Sequence, residues 1–348
     1  MSAASAAAPP LRVTRSRRSA AWSAVLGVAA VVLLASLPYV AHTDVTGLLV
    51  NVFILLALAT MWNLLAGYAG LISVGQQAYI GVGAYVVLVL AGDGLNPYLA
   101  IPFAALGALV VAVPTSFLVL RLRNEYFAIA TWVVAESFRL IVLHFPSLGG
   151  GTGANLSGLG GIDPVLRQAL TYWSALAVVV AAILGAYLLL RSRFGLDLTA
   201  IRDNEIGARS VGVRIARAKR IVYLVAAAGA GAVGSLLIIS QLNVQAGSIF
   251  NVQWSAYMIF VALIGGVGSI EGPIIGTLIF FTLQQSLADR GAWYLIILGG
   301  IAVIMAMYLP RGLWGLIGDR FDLRLFPVGY WMHRGLAPAP AQAGHETE

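Results

Sequence analysis

Ten apolar runs divide this chain, over residues 19–41, 46–66, 73–91, 98–120, 125–143, 171–190, 221–241, 254–268, 273–288 and 293–309. Most approach the roughly 20 residues that a helix needs to cross a hydrocarbon core. Between them there is little polar surface: 60% of the 348 residues are hydrophobic and 10% are Asp, Glu, Lys or Arg. A soluble domain carries about 25% charged residues, so a water-soluble globular fold is excluded. The expected class is an all-α polytopic membrane protein with about ten transmembrane or re-entrant helices. Residues 1–20 then form a cytoplasmic basic tail, 21–309 the transmembrane domain and 310–348 a cytoplasmic carboxy-terminal tail.

The net charge of +7 comes from 20 Arg and one Lys, Lys219, against 14 acids. Nucleic acid is one reading of a basic chain, and membrane topology is another. Alternating the ten runs from a cytoplasmic amino terminus places 18 of the 21 basic residues on one side, eight of them between Arg191 and Arg220. Only Arg167 and Arg290 fall outside. That asymmetry is what the positive-inside rule demands, so no nucleic-acid partner is expected. Arg12, Arg15, Arg17 and Arg18 precede the first run. Its length favours an uncleaved first helix over a signal peptide, whose apolar core spans about 7–15 residues. The chain has no cysteine, which excludes disulfides and thiolate chemistry.

Two stretches break the pattern of plain spans. Residues 67–83 hold five glycines, Gly67, Gly70, Gly75, Gly81 and Gly83, with the amides Gln76 and Gln77. Residues 265–276 add Glu271 and Pro273 to another glycine-rich run. Irregular backbone at membrane depth is tolerated only where protein or a water-filled cavity covers it. Both stretches therefore read as broken or re-entrant elements beside a translocation path, with Asn63, Gly67, Gly70, Gly75, Gln76, Gln77 and Glu271 as path candidates. Close helix packing through small residues explains the glycines equally well, but not the amides or the acid. Their similar glycine spacing hints at an internal duplication.

Three further constellations carry chemistry. The loop Gly149–Gly161 is rich in glycine, but a phosphate-binding loop of the Walker type needs a Lys after its glycines, and the only lysine is Lys219. The chain is therefore not itself an ATPase of that class, and the external loop 144–170 reads either as a cover over substrate or as a flexible connector. Glu136 and Arg139 stand three apart on run 125–143, hence on one helix face. An ionisable group at bilayer depth costs about 2.5–3.5 kcal/mol even on the mild insertion scale. The pair is thus either a path element or a structural ion pair near the outer face. In the cytoplasmic loop 191–220, residues 197–212 read as one amphipathic helix, with Leu198, Ile201, Ala208 and Val211 on the apolar stripe, Asp197 as cap and Gly212 as stop. A loop that merely fixes topology needs only arginines, so this helix is expected to dock a cytoplasmic partner. The four histidines are scattered and no metal-ligand spacing appears; neither metal nor cofactor is expected, and an intramembrane enzyme lacks a catalytic set.

The segments 63–85, Tyr126–Thr131, Ala200–Glu205 and 268–276 together resemble the permease subunits of branched-chain amino-acid ABC transporters, over roughly residues 45–318 and with the M-type subunit in particular. The resemblance implies an importer of two homologous permease subunits, two cytoplasmic ATPase subunits and an external substrate-binding protein, in the inner membrane. It also implies that Ala200–Gly212 is the coupling helix, with Ile201, Arg202, Asp203, Glu205, Ala208 and Gly212 contacting or serving the ATPase. Gly207 and Arg209 depart from the family pattern, and Thr152-Gly-Ala-Asn155 matches its external motif only loosely. Branched-chain amino acids are the expected cargo; urea or short amides are the alternative, and an ion-coupled transporter titrating Glu136 is a reading from another class.

Overall fold

The computed structural model describes residues 11–14, 17–40, 42–123, 125–287, 293–309, 312–321 and 331–334. The expectations for Arg15, Arg290 and the outermost ends of both tails lie outside the described residues. Helices dominate: α1 Arg17–Ser36, α2 Thr43–Asn63, α3 Gln77–Gly92, α4 Ile101–Val119, α5 Glu125–Leu143, α6 Pro164–Arg191, α7 Arg193–Asp203 and α8 Glu205–Ser210. The rest are α9 Ile215–Gln241, α10 Ala246–Ile249, α11 Gln253–Gly265, α12 Glu271–Leu287, α13 Trp293–Tyr308 and α14 Gly312–Phe321. Four short strands pair as two ribbons: β1 Leu11–Thr14 with β4 Trp331–Arg334, and β2 Ala154–Asn155 with β3 Asn243–Val244.

Each of the ten apolar runs coincides with a helix, but not every such helix has the length of a span. Among the described residues seven helical stretches are long and apolar enough to cross a membrane. The three outside the seven are those of runs 19–41, 73–91 and 273–288; α3 has 16 residues because the backbone on its amino-terminal side is spent on irregular structure over 69–76.

The core is built on α2 and α9, whose apolar windows are 78% and 67% buried, against 22% for α4 and α5. A helix apolar on all sides is stable in the interior of such a bundle, whereas the outer helices present their apolar faces to lipid or to another chain. Helix α9 packs on α3, α4, α2 and α6, and α2 packs on α6, α11 and α12. Glycine permits the closest of these crossings: a Cβ on Gly83 would stand 2.0 Å from the Gly231 carbonyl oxygen, and one on Gly234 would stand 1.9 Å from that of Ile80. Within the same core Tyr79 Oη shares hydrogen bonds of 2.7 Å with Tyr223 Oη and Thr115 Oγ1. Helix α1 leans on α6 through Tyr172 Oη, which donates to Leu34 O at 2.8 Å, and Trp173 Nε1, which donates to Ala35 O at 3.0 Å.

The loops gather at two ends of the bundle. At one end, β2 pairs with β3, Leu156 N donates to Leu242 O at 2.8 Å, and Gly158 approaches Pro97. At the other, residues 69–72, 120–123 and 201–205 line one cavity with Arg209, Ile215, Ala216 and Lys219, and Gly67 lies against Gly268. These are the sets that alternation of the apolar runs assigns to the outside and the inside. The glycine-rich loop is therefore pinned to the end of α9 rather than hanging free, and Leu159 within it is 2% exposed.

Candidate functional site

The path candidates meet at the end of the bundle that holds the basic loops. Helix α2 passes at Asn63 into a π-helical turn, Leu64–Tyr68, and the chain then runs irregularly to Gln77. Such a turn frees backbone groups that must find partners in a water-poor interior. Asn63 supplies both halves of an amide clasp: its Nδ2 donates to Ser269 O at 2.8 Å, and its Oδ1 accepts from Gly268 N at 2.8 Å. The two glycine-rich stretches are thereby joined. Their contact is so close that a Cβ on Gly67 would stand 2.5 Å from Gly268 N. Glu271 is buried in the first turn of α12, where a helix amino terminus favours negative charge.

Residues 70–77 lie between α2 and α5. Trp62 Nε1 donates to Ser73 O at 2.8 Å, Val74 N donates to Thr131 Oγ1 at 3.1 Å, and Gln77 Nε2 donates to Val74 O at 3.0 Å. Gln77 Oε1 also accepts from Ser255 Oγ on α11. Gln76 is buried and its Nε2 reaches Ser73 Oγ at 3.4 Å. Gly75 touches the Thr131 carbonyl, and Gly70 adopts a φ of +65° with open space around it. Asn63 and Gln77 thus satisfy irregular backbone, Gln76 bonds the Ser73 hydroxyl and leaves its buried Oε1 without a hydrogen-bond partner, and Gly67 and Gly75 allow close approach.

Glu136 and Arg139 stand apart from this cluster. They form a bidentate ion pair on α5, with side chains 44% and 29% exposed. Ile129, Trp132, Val133 and Leu140 of the same helix are also exposed. The pair therefore sits on an uncovered face of this subunit.

The basic loop departs from the single helix expected over 197–212. Helix α7 starts at Arg193, capped by Ser192, whose Oγ accepts from Phe194 N at 3.2 Å; Asp197 lies inside it rather than at its end. The helix stops at Asn204, whose extended backbone and Oδ1, accepting from Gly207 N at 2.9 Å, start α8 afresh. Asn is among the best amino-terminal caps and favours such a restart. Gly212, at φ +88°, follows α8 in the left-handed conformation. Leu198, Ile201 and Ala208 are buried as expected, but Val211 is 78% exposed, because α8 ends at Ser210 and Val211 falls in the turn that follows. Ile206, which the stripe does not include, is 83% exposed. The Asn at 204 was the local signal that would have found it. Glu205 Oε2 accepts from Lys219 Nζ at 2.7 Å, tying α8 to α9. Arg202 Nε donates to Asp203 Oδ1 at 3.0 Å, and its Nη1 reaches Gly67 O at 3.4 Å.

Residues 45–306 match the family described as "Branched-chain amino acid transport system / permease component". The chain belongs to this family. It is similar to the high-affinity branched-chain amino acid transport system permease protein LivM of Escherichia coli K12, 28% identical over 85% of this chain and 76% of that protein. The LivM protein of Salmonella typhimurium is 28% identical over 78% of this chain and 70% of its own length. The ribose import permease protein RbsC of Bacillus subtilis is 27% identical over 70% of this chain and 77% of that protein. No solved structure matches. The chain is thus a multi-pass membrane permease and not an enzyme.

Proposed function

We propose that this permease is one subunit of an importer for branched-chain amino acids, working by alternating access and driven by ATP that separate chains hydrolyse. The observation that carries the cargo is the similarity to the LivM proteins over most of the chain. Its partners are a homologous second permease subunit, two cytoplasmic ATPase subunits and an external substrate-binding protein, in the bacterial inner membrane. Both termini face the cytoplasm. The pairing of β1 with β4 supports a common side for Leu11–Thr14 and Trp331–Arg334, and the arginine asymmetry supports the cytoplasmic one.

The α7–α8 loop docks the ATPase. Ile206 and Val211, large apolar side chains left exposed among charges, support a protein-covered surface there. The α5 face carrying Glu136 and Arg139 borders the path and meets the second permease subunit. Leaving an ion pair against lipid is costly, which supports cover by protein and water.

The test is uptake by the complete complex in proteoliposomes, comparing labelled leucine, ribose and urea. ATP-dependent leucine accumulation that needs the binding protein is the expected result. Accumulation of ribose or urea in its place overturns the cargo, and uptake that persists without the ATPase chains but collapses with a protonophore overturns the energy source.

A further inference from the structure

The coupling loop touches the broken membrane elements through one side chain. Arg202, near the carboxy end of α7, extends its guanidinium between the two glycine-rich stretches. Its Nη1 lies 3.4 Å from Gly67 O, and 3.1 Å from where a Cβ on Gly268 would stand. On its other side Nε is held by Asp203 at 3.0 Å. Leu198 and Ile201, 0% and 4% exposed, fix α7 against the bundle, so the arginine projects from an anchored helix.

What it reaches is a junction rather than an isolated carbonyl. Gly67 O belongs to the last turn of the α2 continuation, where carbonyls lack intrahelical partners. Gly268 N is one of the two backbone groups in the Asn63 clasp. The guanidinium thus sits where the ends of α2 and of the α11–α12 turn are held together. The Arg202 side chain is 40% exposed, so it reaches this junction from the solvent-facing side of the loop. Any side chain at position 67 or 268 would enter this space, which accounts for glycine at both.

We infer that Arg202 is a positioning residue that transmits movement of the α7–α8 loop to the Asn63–Gly268–Ser269 clasp, and so to α2 and α12 together. This rests on the permease reading above. A shift of α7 moves the guanidinium, the guanidinium carries the Gly67 carbonyl, and the clasp moves the 268–269 backbone with it. Glu205 and Lys219 link the same loop to α9, which steadies the loop but does not reach the clasp.

The cysteine-free chain offers a direct test in the complete complex. Arg202→Met and Arg202→Cys are purified with the ATPase subunits, and uptake is read per ATP hydrolysed. Both variants are expected to keep their ATPase subunits and to lose uptake per ATP at least tenfold. Treating Arg202→Cys with 2-aminoethyl methanethiosulfonate, which restores a cationic arm, recovers uptake, whereas the neutral methyl reagent does not; the unsubstituted complex, treated alike, controls for cysteines in the partner chains. Unchanged uptake per ATP in Arg202→Met overturns the inference. So does loss of the ATPase subunits from both variants, which makes Arg202 a docking residue, or equal recovery with the neutral reagent. Transport by the unsubstituted complex tests the permease reading separately, so the two failures are distinguishable.

Discussion

Gly67 is the residue at which close packing and backbone irregularity meet. A methyl group there would stand 2.5 Å from Gly268 N and 2.5 Å from Asn63 Oδ1, so one of the two must move. Neither can do so without opening the clasp. Gly67→Ala is therefore expected to destabilise by about 1–3 kcal/mol, the usual cost of overpacking, plus the loss of the clasp hydrogen bonds. Gly92→Ala, where nothing lies within 4 Å, is the matched control. Thermal melting in detergent checks this: equal midpoints for the two variants would remove the clasp as a structural joint. Asn63 shows why such a residue is only half legible in sequence. An amide among apolar neighbours marks a position of interest, but its partners lie 205 and 206 residues away, and no local pattern names them. Glu136 and Arg139 are the opposite case, since a spacing of three on one helix suffices to pair them. Glu136→Gln removes one charge of that pair and leaves Arg139 uncompensated. If the α5 face borders the path, the variant reaches normal abundance and loses uptake; reduced abundance with normal uptake per molecule would make the pair structural.

At the scale of elements, the break between α7 and α8 decides which side chains the loop leaves exposed. Hydrophobic periodicity alone runs through residues 197–212 as one stripe. The structure divides it because Asn204 offers the backbone a better local partner than helix continuation does, and α8 restarts after it and ends before Val211. Amino-terminal caps of this kind contribute about 1 kcal/mol. Asn204→Ala should therefore let α8 fray, while Asn204→Asp, which keeps the acceptor oxygen, should not. The measurement is retention of the ATPase subunits during purification. Loss with Ala and retention with Asp is expected, and equal retention would detach docking from α8 order. Ile206→Ser examines the same surface without touching the cap. At 83% exposure the side chain adds little to the fold of this subunit, so the melting midpoint should hold while ATPase retention falls. A lowered midpoint with full retention would show that Ile206 serves the fold.

At the scale of the whole molecule, apolar length locates a helix in each of the ten runs, because it is a property of short windows, but it does not find α14, which packs on α11 and α12. It also does not report where the backbone breaks. The gathering of loops at two ends is a stronger constraint than apolar length, since it depends on contacts between segments far apart in the chain. It pairs 154–155 with 243–244 at one end, and brings 69–72, 120–123 and 201–205 together at the other. A single crossing added or lost between residues 155 and 210 would put these ends on the same side of the membrane. Ser157 and Ser210 report on the two ends, for both are exposed and serine to cysteine is a small change. In a chain without cysteine each variant carries one thiol. A membrane-impermeant maleimide added to intact cells should label Ser157→Cys, and should label Ser210→Cys only after the membrane is opened. Labelling of both from outside, or of neither, would break the alternation on which the cytoplasmic placement of the α7–α8 loop depends, and the docking role of Ile206 would fall with it.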